Sequence, residues 1–237
     1  MQVRYMEGNS NVGVLGTYVE EFSEDGGSLP IWRRPTTPAV VRWFSYFGCC
    51  LANSSTLIRR EIFERVGPYR LAIAEDYDFY LRAARVTQMA IVPKALVRIR
   101  IVAESFSRRE LPAQVRQLAA LARDAMAELL GHDVSPKTVE ILRDSIEGRA
   151  LADPREFDRA ERVLRELYRA YIRAHRPDRS DRSEIAADLV LRVGRLALSA
   201  RCVSLLTAAR LYAQSAGFLG RSFSLRNAKK AIARCVS

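Results

Sequence analysis

The chain changes its hydrophobic period once, near residue 110, and that change constrains its fold more than any other feature. Before this point, short β-prone runs alternate with short helical ones. After it, apolar residues recur almost only at helical spacing. The two patterns predict an α/β layer over residues 1–109, followed by an all-helical region over residues 110–237.

In the first region, residues 12–19 (VGVLGTYV) are apolar and β-prone, with Gly13 and Gly16 marking close backbone approach. Glu24-Asp25-Gly26-Gly27 predicts a turn. Residues 35–38 begin a short helix through Val40, Val41, Phe44 and Phe47. Residues 54–58 predict a strand, and residues 59–66 a helix stopped by Gly67-Pro68. A further helix is expected over 76–85, then two strands, 89–92 and 96–102, on either side of Pro93.

In the second region, Val115, Leu118, Ala122, Ala125, Met126 and Leu129 fall on one helix face. Ser135-Pro136 is an N-cap followed by a first-turn proline, ahead of a stripe of Val139, Leu142 and Ile146. Asp153-Pro154-Arg155-Glu156 resembles a capping box for a helix through Phe157, Ala160, Leu164, Leu167 and Tyr171. Residues 176–184 (RPDRSDRSE) predict a linker. Ile185, Leu189, Val193, Leu196 and Ala200 form the next stripe, and Leu225, Ala228 and Ile232 the last.

The formal net charge is +11 and the pI about 9.9, which suits an anionic partner: nucleic acid, acidic lipid or a phosphorylated substrate. No nucleic-acid motif or interleaved basic and aromatic pattern accompanies that charge, which disfavours nucleic acid. The tail is expected to be a soluble helical bundle with a solvated arginine-rich surface. The alternative is a helix lying on an anionic membrane face, with Phe218 and Phe223 at its boundary. The four cysteines, Cys49, Cys50, Cys202 and Cys235, contain no CxxC pair, so neither a zinc site nor a disulfide framework is expected. No apolar leader follows Met1, and no uninterrupted apolar run reaches about 18 residues. The expectation is a cytoplasmic protein, with peripheral contact at the inner membrane face as its extension.

The segment richest in chemistry is residues 67–85, GPYRLAIAEDYDFYLRAAR. Glu75 and Asp76 end an irregular stretch and Asp78 follows on the first helical turn. Acidic residues there satisfy orphan N–H groups and suit the helix dipole, without further function. His132 and His175 stand at helix ends, far from this segment and without metal partners, and surface positions are expected for both.

Around the acidic segment the order is specific. Arg59-Arg60 opens a helix that ends in GPY, then come AEDYDFYLR, two strands, Arg100, and Ser105 and Ser107. With VGVLGTYVEEFSEDG ahead of it, residues 2–107 resemble the acceptor-side half of a family 2 glycosyltransferase of GT-A type. The resemblance implies a partial Rossmann-like GT-A sheet layer. It also implies transfer of a sugar from a nucleotide-diphosphate donor to the hydroxyl of a carbohydrate or lipid-linked acceptor. A carboxylate takes the hydroxyl proton in that reaction, a task that needs an ionised and partly enclosed group. By resemblance Asp76 is the base, Glu75 helps position it or the acceptor, and Asp78 caps the helix.

Arg100 is implied to reach the diphosphate, or else to face solvent from its strand. Arg60, with Arg59, would touch phosphate or acceptor, or cap a strand end with its stem packed. Trp43 and Trp32 would stack on sugar faces, or pack in the core. Asp76-Tyr77-Asp78 spells D-x-D, yet the family's metal motif precedes the strand that begins here at Val12. The residues for a divalent metal (Mn or Mg) and for the nucleobase would therefore lie before Met1. The chain also departs from the family at Ala52-Asn53-Ser54-Ser55, at Pro68, at Ile99 and at Val102. The alternative reading is non-catalytic: a truncated relic, or a helical module that docks to a membrane or a partner.

Overall fold

The structure is a computed structural model, and it describes residues 1–102, 111–144 and 154–201. The chain is α/β and divides into two compact units, one of residues up to Leu121 and one from Ala122 onward. The helical run begins at Leu111, so the units part inside a helix.

The first unit is organised by two long parallel strands. Strand β1 (Val12–Phe22) takes β4 (Gln88–Arg100) along one edge, from Val12 opposite Gln88 to Phe22 opposite Arg100. The other edge is shared by two antiparallel strands, β3 (Leu57–Ile58) at Val14 and Leu15 and β2 (Ser28–Trp32) at Val19 to Phe22. β1 alternates between two cores. Val14 joins Val41, Leu51, Ile62, Phe79, Met89 and Ile91 on one face, while Val12 and Leu15 join Met6, Ala90 and Val92 on the other. Burial on both faces explains why residues 12–19 are an apolar run rather than an alternating one. Both glycines expected to permit close approach do so. A Cβ on Gly13 would lie 2.5 Å from Thr87 Oγ1, and one on Gly16 would lie 2.5 Å from Leu51 Cδ2.

Helices α1 (Gln2–Glu7), α2 (Pro38–Ser45), α3 (Arg60–Val66) and α4 (Glu75–Ala83) cover this sheet. α1 and β2 carry no sequence signal of their own. α1 is held by contacts distant in sequence. Gln2 Nε2 donates to Ser55 O at 2.8 Å, and the Arg59 guanidinium donates to Met6 O at 2.6 Å and Val12 O at 2.9 Å.

Two strand expectations are corrected. Residues 54–58 form a 3₁₀ turn (Asn53–Ser55) before the two-residue β3, because Ser55 Oγ donates to Ala52 O and Thr56 Oγ1 to Asn53 O, each at 2.9 Å. Short hydroxyl side chains thus divert the backbone into a local turn. The two strands around Pro93 are one strand. Its register with β1 slips between Val92 and Ala95, so exposed Pro93 and Lys94 bulge out while pairing continues beyond them.

In the second unit, the end of α5 (Leu111–Leu130) is followed by α6 (Pro136–Asp144), α7 (Pro154–His175) and α8 (Arg179–Arg201). Ser135 Oγ caps α6 by accepting from Thr138 N at 3.2 Å. Phe157, Ala160, Leu164, Leu167 and Tyr171 are all fully buried, as are Val139, Leu142, Ile185 and Leu196. The α5 stripe is shorter than its period suggests: Ala122 and Met126 are buried, whereas Val115 is exposed. The linker expected over 176–184 shrinks to three residues. Asp178 Oδ1 accepts from Asp181 N at 2.8 Å and Asp178 O from Arg182 N at 2.9 Å, so the polar run becomes the first turn of α8. The expectations on Asp153, Ile146, Ser105, Ser107, Cys202, Cys235, Phe218, Phe223 and the stripe from Leu225 lie outside the described residues, as does the side chain of Ala200. Among the described residues no helix is long and apolar enough to cross a membrane.

Candidate functional site

The site is built at the corner between α3 and α4. α3 stops at Gly67, whose φ of 82° suits glycine. The chain then enters α4 through Ala74, which is buried and left-handed at φ 57°, ψ 31°. A non-glycine residue in that conformation stores on the order of 1 kcal/mol of strain, which the surrounding packing must hold. The left-handed step swings the chain so that Glu75, Asp76 and Asp78 fill the first turn of α4.

α4 is anchored on two sides. Tyr77, Phe79 and Tyr80 are buried, and Tyr77 Oη donates to Ser45 O at 2.5 Å. On its outer side Arg82 pairs with Asp78 at 2.7 Å and donates to Val66 O at 2.6 Å and Pro68 O at 3.0 Å. Asp78 therefore does not cap the helix, as the sequence suggested. It holds Arg82, which laces α4 to the end of α3.

Asp76 faces a cavity of about 570 Å³ within the first unit, which it lines with Trp32, Cys49, Asn53, Ser54 and Ile99, among others. Tyr77 N–H donates to Asp76 Oδ1 at 2.7 Å, and among the described residues no cation pairs with the carboxylate. Burial raises its pKa above the ordinary value, and the neighbouring charge of Glu75 adds to this, against the opposing pull of the Tyr77 amide. Beside it, Asn53 Oδ1 accepts from Tyr80 Oη at 2.9 Å and from Tyr69 Oη at 3.3 Å, and Tyr80 Oη also reaches Thr56 Oγ1 at 3.3 Å. The Cys49 thiol donates to Leu51 O at 3.2 Å. Burial foremost, then the charge of Asp76, pushes Cys49 well above the usual thiol range, and the same two causes lead for the rise at Tyr69. The result is one half-buried carboxylate ringed by groups that keep their protons. Such a carboxylate can accept a proton from a hydroxyl placed in the cavity.

The other expected residues are placed differently. Glu75 starts α4 beside Asp76 but does not line the cavity. Arg100 is exposed at the end of β4, where Ile99 turns to the cavity instead. Arg60 is exposed at the start of α3, and Arg59 is the structural lock described above. Trp43 has no exposed surface and packs against Phe47 at 5.1 Å, so its ring is closed to a sugar face. Trp32 is the tryptophan that lines the cavity, with Arg34 4.9 Å above its ring. Cys49, Asn53, Tyr69 and Tyr80 were missed as site residues. Asn53, Tyr69 and Tyr80 are linked by hydrogen bonds spanning 16 and 27 residues, which no local pattern announces, and Cys49 reaches the site only as part of the cavity wall.

Asp76-Tyr77-Asp78 does not fit a divalent metal, because the Asp78 carboxylate is committed to Arg82. Among the described residues no three His, Cys, Asp or Glu side chains converge. Exposed His132 faces Glu166 at 3.5 Å, and the ring of His175 lies 4.5 Å from that of Tyr171. Comparison of the chain with family models, with curated proteins and with solved structures finds no match.

Proposed function

We propose that this chain is the acceptor-side part of a nucleotide-sugar-dependent glycosyltransferase of family 2, built on a partial GT-A sheet, with Asp76 as the base. One observation carries the reading: a partly enclosed carboxylate of raised pKa, unpaired with any described cation, on the wall of a cavity large enough for a sugar unit. The ordered motifs from VGVLGTYV to Arg100 support it. On this reading an acceptor hydroxyl sits against Asp76 and gives its proton to the carboxylate as its oxygen attacks the anomeric carbon of the donor, while the bond from that carbon to the diphosphate oxygen breaks and the nucleoside diphosphate leaves with the electron pair. Trp32 offers an apolar face to the sugar ring. No step is assigned to a metal, since the described residues do not fit one.

Calorimetric titration with UDP and a UDP-sugar, with and without manganese, asks whether donor binding resides in these residues. In any length of chain that binds donor, Asp76→Asn should lower the transfer rate roughly 10²–10⁴-fold while circular dichroism stays unchanged. Transfer at the wild-type rate in that variant would remove Asp76 from its role.

A further inference from the structure

Helix α7 (Pro154–His175) has two unlike sides. Inward, it buries Phe157, Ala160, Leu164, Leu167 and Tyr171 completely. Outward, Arg155, Arg159, Arg162, Arg169 and Arg173 are all exposed. At α-helical pitch these five fall within an arc of about 80°, along about 27 Å of axis. The one other residue on that arc is Glu166, whose carboxylate faces His132 at 3.5 Å.

Two arginines of the unit that turn inward are matched with acids. Arg165 is bound to Glu161 and Arg192 to Asp188, both largely buried. On the arc, Arg159 has only a loose contact with Glu156 at 3.5 Å, and Arg162, Arg169 and Arg173 have no acidic partner among the described residues. Arginines three and four positions apart repel one another and weaken the helix. A stripe kept against that cost fits a surface that supplies anions from outside.

We infer that the arginine arc of α7 docks on the surface of an anionic phospholipid bilayer. Guanidinium groups bind phosphodiesters through paired, charge-assisted hydrogen bonds. Collinear cations on one convex helix face touch a flat array of headgroups along their whole length. The arc contains no aromatic, amide or hydroxyl side chain with which to stack on or read bases, which favours the bilayer over nucleic acid. The apolar side of α7 is already buried, so the attachment is electrostatic and peripheral, without insertion. The inference stands on α7 alone and does not depend on the glycosyltransferase reading.

The test is co-sedimentation of the full chain with vesicles of phosphatidylcholine alone and of phosphatidylcholine with 30% phosphatidylglycerol, at low and high salt. Binding is expected only with phosphatidylglycerol and should fade as salt shortens the screening length. The variant R159Q/R162Q/R169Q/R173Q should lose roughly fivefold in affinity per arginine removed, more than a hundredfold in all. Its circular dichroism and melting temperature should stay close to wild type. The control R4Q/R65Q/R70Q/K94Q removes four exposed cations from the first unit and should bind as wild type does. Three outcomes overturn the inference: no binding to phosphatidylglycerol vesicles at low salt, equal losses in the two variants, or displacement of the chain from vesicles by a short RNA that it binds more tightly.

Discussion

Asp76 draws its chemistry from the residue before it and from the walls around it. The pair Glu75-Asp76 is visible as an acidic helix start, a pattern that helix dipoles alone explain. What sets Asp76 apart is burial, which penalises its charged form. The consequence for stability has a definite sign. A carboxyl whose pKa is raised on folding binds its proton more tightly in the native state. Stability therefore falls as pH rises from the unfolded-chain value, ordinarily 3.8, through the folded one. Asp76→Asn never ionises and avoids this loss. Its melting temperature should exceed that of wild type at about pH 7, and the advantage should vanish near pH 3. A variant less stable than wild type at pH 7 would mean that the site holds the carboxylate favourably. The same measurement asks whether stability has been yielded to chemistry, as at many working sites.

At the scale of elements, α4 is the part that presents the site, and Arg82 is what fixes it. Arg82 answers one carboxylate and two carbonyls across the α3–α4 corner, and its side chain is only 10% exposed. Arg82→Ala leaves Asp78 and both carbonyls without that partner and should cost about 2–3 kcal/mol in urea unfolding. Since the corner leads directly into the strained Ala74, any transfer activity should fall with it. A loss confined to stability would show that α4 keeps its place through Tyr77, Phe79 and Tyr80 alone. The elements read wrongly from sequence share one cause. The slip at Pro93, the 3₁₀ turn at Asn53–Ser55 and the start of α8 at Arg179 each turn on hydrogen bonds made or forgone by one or two particular residues. Periodicity averages over many residues and does not register such a local event.

At the scale of the whole molecule, the two units have separate cores, one around β1 and β4 and one around α6, α7 and α8. Heating should therefore depart from a two-state transition, with a calorimetric enthalpy above the van't Hoff value. Leu164→Ala, which opens a cavity in the helical core at a cost of about 2–5 kcal/mol, should shift one component and spare the other. A single transition that moves as a whole would show the units to be coupled. The sequence by itself determined the α/β class, the passage to helices after residue 110, the buried strand at 12–19 with its two crowded glycines, and the acidic start of α4. Each of these rests on local period or on the backbone freedom of a single residue type. Only the tertiary structure decided that Trp32 rather than Trp43 borders the cavity, that Asp78 serves Arg82, and that Asn53, Tyr69 and Tyr80 meet beside Asp76. Those outcomes depend on contacts between residues far apart in the chain, and they exist only once the sheet has closed and each side chain has been assigned to a core, a cavity or solvent.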